Sequence, residues 1–144
     1  MLETLLELPA LVAGRRPGGQ SHRAVGVMTT TGGGGALAVD ALGVLGIEAR
    51  KPDAAAAALL DADKLPHHGR LLDMTLAGTR PDRVMAGLAG LRAAQDTDHV
   101  LAVVGSSAQF RPKDAVGGII EGARIAGKPV AAFLALWKYK VDIM

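Results

Sequence analysis

The stretch that decides the fold is VGVMTTTGGGGALAVDAL, Val25 to Leu42. A short apolar run with two valines passes into three threonines, then four glycines, then a run rich in alanine and leucine. Ala24–Thr29 reads as a buried strand. Leu37, Ala41, Val44 and Leu45 follow at the i, i+4, i+7, i+8 spacing of a helix. Glycine costs conformational entropy on folding, so four in a row at a strand-to-helix junction need a reason. A tight turn is one reason. A backbone that must approach a phosphate is the other, because the first turn of a helix carries unpaired N–H groups and the positive end of its dipole.

Downstream of this stretch the alternation continues. Gly46 stands where a helix C-terminal cap is expected. Ile47–Arg50 is a weak second strand, and Pro52 opens an alanine-rich helix near 53–62. KLPHHGR is a loop, and Leu71–Met74 is a short third strand. Thr79-Arg80-Pro81-Asp82 reads as a helix start, with a capping hydroxyl, then proline and an acid in the first turn. Val84, Leu88 and Leu91 share one face of the helix that follows. His99–Val104 is the clearest strand. Pro112 opens another helix through Ala126, ended by Gly127, and Val130–Leu134 is the last strand. Upstream, residues 2–13 predict a short helix with Leu2, Leu5, Leu6 and Val12 on its apolar side, bent or shortened by Pro9. Residues 14–23 form a polar linker.

Apolar strands alternating with helices across short loops imply a parallel sheet covered on both faces. The fold class expected is α/β: a three-layer flavodoxin-like domain with a five-stranded parallel sheet of order 2-1-3-4-5. The expected boundaries are 1–23 for a helix and linker, 24–135 for the domain, and 136–144 for a tail without assignment.

Composition fits this. The chain has 144 residues, 49% of them hydrophobic and 21% charged, enough for one domain with a real core. Aromatics are only 3%, so alanine, valine, leucine and isoleucine must fill that core. A net charge of +2 and the lack of any basic run interleaved with aromatics argue against a nucleic-acid partner. With no cysteine there is no disulfide framework and no thiolate chemistry, which fits a cytoplasmic protein. The N-terminus does not read as a signal peptide, since Glu3 and Glu7 interrupt it and its basic residues follow the apolar run. No apolar run approaches the ~20 residues of a membrane span.

In such a sheet, ligands bind beyond the carboxyl ends of the strands, beside the first strand. Gly32, Gly33, Gly34 and Gly35 lie there, and Thr29, Thr30 and Thr31 add hydroxyl donors. The expectation is an anion site. GGGGALAV lacks the Gly-Lys-Ser/Thr of a P-loop. A dinucleotide site is rejected, because Glu48 comes too early to bind a ribose and Arg50-Lys51 follow. A second small-residue loop, Gly105-Ser106-Ser107-Ala108-Gln109, follows the fourth strand and could face the same crevice, or be an ordinary polar loop. Asp73 ends the third strand; hydrogen bonding to loop amides in a buried setting is its expected role. His67-His68 read as solvated loop residues, without a carboxylate at metal-ligand spacing. His22 lies in the linker and His99 opens a strand. Arg111 and Lys113 could meet phosphate groups or simply solvate a helix start. Nothing matches a nucleophile elbow, a catalytic triad or an HExxH helix, so no catalytic residue and no metal ligand is assigned.

These residues carry a resemblance. AVGVMTTTGGGGALAVDALGVLGIEAR, residues 24–50, resembles the first strand–loop–helix of a succinyl-CoA-ligase-like flavodoxin domain. Such domains occur in the NDP-forming acyl-CoA synthetases, the acetate–CoA and succinate–CoA ligase superfamily. The family's Gly-Gly-x-Gly loop followed by LAADA is here Gly32–Gly35 and Leu37-Ala38-Val39-Asp40-Ala41. GRLLDMTLAGTRPDRVMAGLAGLRAAQDTDHVLAVV (69–104) and KDAVGGIIEGARIAGKPVAAFL (113–134) resemble later family passages in the same order. The segment before residue 24 resembles the helix and linker that precede this domain in multidomain members.

The resemblance implies chemistry in which acyl phosphate, CoA and a nucleoside diphosphate are linked through a phosphohistidine held at helix N-termini. Carried over, Thr30, Thr31 and Gly32–Gly35 would cradle that phosphate, with Gly105, Ser106 and Ser107 as the second phosphate-facing loop. The chain departs from the family by lacking the Gly-His-small-Gly motif that bears the phosphate. It also has no room for an ATP-grasp domain or a CoA-binding Rossmann domain. The implied role is therefore one module of an acid–thiol ligase that is not catalytic alone, with no covalently bound cofactor. CoA and nucleoside diphosphate or phosphate belong to the complete enzyme. ATP-grasp and CoA-binding domains or subunits are the implied partners, and an oligomer is compatible with this. The alternative is a non-catalytic flavodoxin-like interaction domain that docks to a partner subunit.

Overall fold

The computed structural model describes residues 24–67, 69–75, 80–125 and 127–134. The helix expected over 2–13, the linker, the tail and Thr79 lie outside these residues. The elements are β1 (Ala24–Thr29), α1 (Gly32–Val44), β2 (Glu48–Ala49), α2 (Ala54–Ala62), β3 (Leu71–Asp73), α3 (Pro81–Ala93), β4 (His99–Val104), a 3-10 turn (Ser106–Gln109), α4 (Pro112–Arg124) and β5 (Val130–Leu134). Every element expected within 24–134 is present, with ends moved by one to two residues.

The five strands form one parallel sheet. α1 packs on one face; α2, α3 and α4 supply the other. This is the three-layer, flavodoxin-like α/β architecture expected. Strand alternation sends Val25 and Val27 toward α1, and Met28 toward the other helices.

The order of the strands differs from 2-1-3-4-5 in the place of β3. β4 pairs directly with β1, through Val25↔His99 to Thr29↔Val103. β3 lies on the opposite edge of β1, which it shares end to end with β2. Ala24 and Val25 pair with β2, and Val27, Met28 and Thr29 pair with β3. Strand length explains the sharing. β2 has only two residues, so it leaves most of that edge of β1 unpaired, and the three residues of β3 fill what remains.

The larger core lies between the sheet and α2–α4. Met28, Leu60, Leu72, Met74, Val84, Leu88, Leu91 and Val100 are all buried there. Each such side chain contributes ~1.5–3 kcal/mol on burial, so aliphatic residues sustain the core without aromatics. Pro81 and Asp82 start α3 as expected, and Val84, Leu88 and Leu91 form its buried face. Gly90 lets α3 and α2 approach closely, since a Cβ there would stand 2.5 Å from Leu60 Cδ2.

α1 corrects the expectation from spacing. Its sheet-facing residues are Gly35, Ala38, Val39 and Leu42. Leu37, Val44 and Leu45 point outward, with Leu37 71% and Val44 89% exposed. Asp40 is the only charge in this helix, so apolar residues occur all round it and periodicity cannot select the buried side.

Candidate functional site at the carboxyl ends of β1, β3 and β4

The register brings three strand ends together: Thr29 stands opposite Asp73 of β3 and Val103 of β4. The β1–α1 and β4–α4 loops meet above them. Thr30 N–H donates to the Val103 carbonyl (3.0 Å), and Gly105 N–H donates to Thr30 Oγ1 (3.0 Å). A Cβ on Gly105 would come within 2.8 Å of Thr31 Cβ, so this approach requires glycine. The two small-residue loops picked out in the sequence therefore touch, Thr30 and Thr31 against Gly105. Gly32, Gly33 and Gly34 open α1 beside this contact, Gly35 turns inward against Thr29 and Leu71, and Ser106 and Ser107 begin the 3-10 turn that follows Gly105.

Thr29 is fully buried, and its Oγ1 accepts from Thr31 N–H (3.0 Å). Its hydroxyl proton is shared between the carbonyls of Thr31 (2.8 Å) and Val103 (3.2 Å). Its hydroxyl is consumed inside the loop, where it fixes Thr31 at the head of α1.

The glycine run is helical throughout. Among the described glycines, only Gly46 and Gly127 have positive φ, so Gly32–Gly35 are not there for a left-handed backbone. What they supply is the absence of a side chain. At Gly35 packing demands it, because a Cβ would lie 2.7 Å from Thr29 Cγ2 and 2.9 Å from Leu71 Cδ2. At Gly33 nothing lies within 4 Å of where a Cβ would stand. At Gly34 a Cβ would lie 2.7 Å from Thr31 Cγ2, and at Gly32 3.2 Å from Asp73 Oδ2, so Gly33 is the position in the run that packing does not explain.

The head of α1 also lacks a cap of its own. Thr31 is the N-cap residue but makes no side-chain capping bond, and the first turn holds no acid. The first intrahelical donor is Gly35 N–H, to the Thr31 carbonyl at 2.8 Å. By contrast, Asp53 caps α2 by accepting from Ala56 N–H (2.9 Å), and α3 and α4 carry Asp82 and Asp114 in their first turns. The amides of Gly32, Gly33 and Gly34 therefore have no capping side chain within the loop, and the acid nearest to them is Asp73, whose Oδ2 stands beside Gly32.

Asp73 closes the β3 side. It is exposed, which corrects the expected burial, but it does bond a loop amide: Thr75 N–H donates to Oδ1 (2.9 Å), joined by the Thr75 hydroxyl. Its other oxygen lies 3.2 Å from the Cβ position of Gly32, at the edge of the amide cradle. Arg111 and Lys113 are exposed at the head of α4. His67 is not a solvated loop residue: its side chain is mostly buried and bonds Asp61 Oδ1 through Nε2 at 2.8 Å. His68 lies outside the described residues. Among the described residues, no group of three acids or histidines is placed to hold a metal ion. No helix among them is long and apolar enough to cross a membrane.

Sequence reasoning missed a charged cluster at the opposite end of the sheet. Arg50 Nη1 donates to the Asp96 carbonyl (3.1 Å) and lies 3.3 Å from Asp96 Oδ2. Gln95 N–H donates to Asp53 Oδ2 (2.6 Å), and Lys128 Nζ donates to Thr97 Oγ1 (3.1 Å). The amides of Ala56 and then Gln95 hold the Asp53 carboxyl below the usual carboxylate range. Burial pushes the Lys128 ammonium down, against the opposing fields of Asp53, Asp96 and Asp98. The cluster ties the β2–α2 and α3–β4 connections together. Its members lie far apart in sequence, so no local motif signals it.

Comparison with known proteins finds no matching protein-family profile and no matching curated protein. Solved structures do match. The PH0766 protein of Pyrococcus horikoshii OT3 aligns at 22% identity with a TM-score of 0.65, over 81% of this chain and 28% of its own. The dinucleotide forming acetyl-coenzyme A synthetase 1 of Ca. Korarchaeum cryptofilum, in complex with phosphate and ADP, aligns at 21% identity with a TM-score of 0.57. That match covers 83% of this chain and 26% of the synthetase, and the apo form aligns equally. The chain thus shares its fold with part of these larger proteins and spans about a quarter of their length.

Proposed function

We propose that this chain is a phosphate-binding module of an NDP-forming acyl-CoA synthetase, with the crevice between the β1–α1 and β4–α4 loops facing a phosphohistidine supplied from elsewhere. The observation that carries this reading is the uncapped, side-chain-free head of α1 in direct contact with a second small-residue loop. Gly32, Gly33 and Gly34 offer amides. Thr30, Thr31 and Ser106 bring hydroxyls, Ser107 follows in the same turn, and Gly105 allows the two loops to touch. Donors fixed in this way stabilise a phosphoryl group without reorganising, which is the largest single term in many transfer reactions. The fold shared with an acetyl-CoA synthetase, and the sequence resemblance over residues 24–134, supply the reaction class.

The chain has no Gly-His-small-Gly motif, so on this reading it does not catalyse the overall reaction alone. An ATP-grasp domain and a CoA-binding domain are the partners, in the same polypeptide or in another subunit, working in the cytoplasm. CoA and nucleoside diphosphate are handled by those parts.

Gly33→Val tests the reading, because the space around Gly33 is open and the fold tolerates the new side chain. Calorimetric titration with inorganic phosphate is expected to show binding to the wild-type chain and at least about tenfold weaker binding to the variant, with an unchanged far-UV spectrum. Equal binding by both chains would sink the proposal.

A further inference from the structure

One acceptor stands among the donors at the head of α1. Gly32, Gly33 and Gly34 present amides that no side chain of the loop caps. Thr30 adds a hydroxyl whose oxygen accepts from Gly105 N–H (3.0 Å) and whose proton meets no acceptor among the described residues. Asp73 joins the set from β3, where the register holds it opposite Thr29. Its two oxygens have different surroundings. Oδ1 accepts from Thr75 N–H (2.9 Å) and from the Thr75 hydroxyl. Oδ2 accepts from no donor among the described residues and stands 3.2 Å from the Cβ position of Gly32. The turn formed with Thr75 needs one oxygen, and asparagine would serve it equally. Local structure therefore leaves the second oxygen without a use.

Resting on the phosphate-binding reading of this site, we propose that Asp73 is its specificity-determining residue, the acceptor that selects an oxyanion carrying a proton, hydrogen phosphate, over a fully ionised one. A carboxylate oxygen only accepts. Sulfate only accepts as well, so beside Oδ2 it meets repulsion and forms no bond. Hydrogen phosphate has the same tetrahedral shape and, in mildly alkaline solution, the same charge, but one of its oxygens carries a proton. That proton bridges to Oδ2 in a charge-assisted bond, while the remaining oxygens take the glycine amides and the Thr30 hydroxyl. The same carboxylate that penalises an anion without a proton thus becomes a partner for one that has it.

Asp73→Asn is the direct test, because asparagine keeps a carbonyl oxygen for Thr75 N–H and puts an amide donor in place of Oδ2. Asp73 is exposed, so the variant keeps the fold. Calorimetric titrations with inorganic phosphate and with sulfate, in one mildly alkaline buffer, read the preference. The wild-type chain is expected to bind phosphate at least about tenfold more tightly than sulfate, the factor of one charge-assisted hydrogen bond. In Asp73→Asn the preference should fall to within about twofold, chiefly because sulfate binds more tightly. Asp40→Asn removes the same formal charge from an exposed position about two turns along α1 and should keep the preference. A wild-type chain that binds sulfate as well as phosphate would overturn this proposal alone. So would a preference that survives Asp73→Asn, or one lost equally in Asp40→Asn. Binding of neither anion would overturn the phosphate reading, and this proposal with it.

Discussion

At the scale of the residue, the glycine run divides into two kinds of position. Gly35 is a packing residue, and Gly35→Ala drives a methyl into Thr29 and Leu71. The expected cost is ~1–3 kcal/mol, read by chemical denaturation. Gly33 meets nothing, so Gly33→Ala should instead stabilise the chain by ~0.5–1 kcal/mol through helix propensity. Denaturant melts of the two chains check this, and a destabilised Gly33→Ala would contradict it. Thr29 belongs to the same argument. Thr29→Val keeps the shape but removes the acceptor for Thr31 N–H and the donor to two carbonyls. The two carbonyls keep the amides of Gly35 and Thr30, but Thr31 N–H is left unpaired, which should cost ~1–3 kcal/mol in denaturant melts and weaken phosphate binding by displacing Thr31. The threonines and glycines were legible in the sequence as a functional cluster. That Thr29 turns inward was not, because the distinction depends on the Val103 carbonyl 74 positions away.

At the scale of the element, helix ends explain more than helix bodies. α2 is capped by Asp53, which also receives Gln95 N–H from the α3–β4 connection. The folded carboxyl titrates below its unfolded value, so its contribution is present above the ordinary carboxylate range and is lost as pH falls through the folded pKa. Asp53→Asn should therefore flatten the acid limb of the stability–pH curve and leave its shape near neutrality unchanged, as followed by thermal melts from pH ~6 down to ~2. At the end of α4, Arg92 donates to the carbonyls of Gly122 and Ile125 and joins α4 to α3. Arg92→Met keeps the aliphatic stem but removes both bonds, and should cost ~1–3 kcal/mol in denaturant melts. Pro81, Asp82, Pro112 and Gly46 announced helix boundaries because caps are local chemistry. The second bond of Asp53, to Gln95, and both bonds of Arg92 reach distant backbone, which no local pattern reports.

At the scale of the whole molecule, the sheet gathers its functional candidates at one end and its charged cluster at the other. The carboxyl ends of β1, β3 and β4 carry the two touching loops; Arg50, Asp53, Asp96 and Lys128 bind the opposite rim together. If the crevice acts within a larger ligase, the chain alone should bind phosphate without acyl-CoA synthesis. Supplying ATP-grasp and CoA-binding partners should be required for turnover, measured as nucleoside diphosphate release. The sequence by itself determined the strand–helix alternation, the parallel sheet and the two small-residue loops. Those follow from periodicity, caps and composition, which act over a few residues. Only the tertiary structure decided that β3 shares an edge with β2, that α1 buries Ala38, Val39 and Leu42 and turns Leu37 outward, and that Asp73 lies exposed beside Gly32. The physical reason is common to all three. A two-residue β2, a helix apolar on every side and a carboxylate at a strand end each allow more than one local arrangement, and the packing of distant elements selects among them.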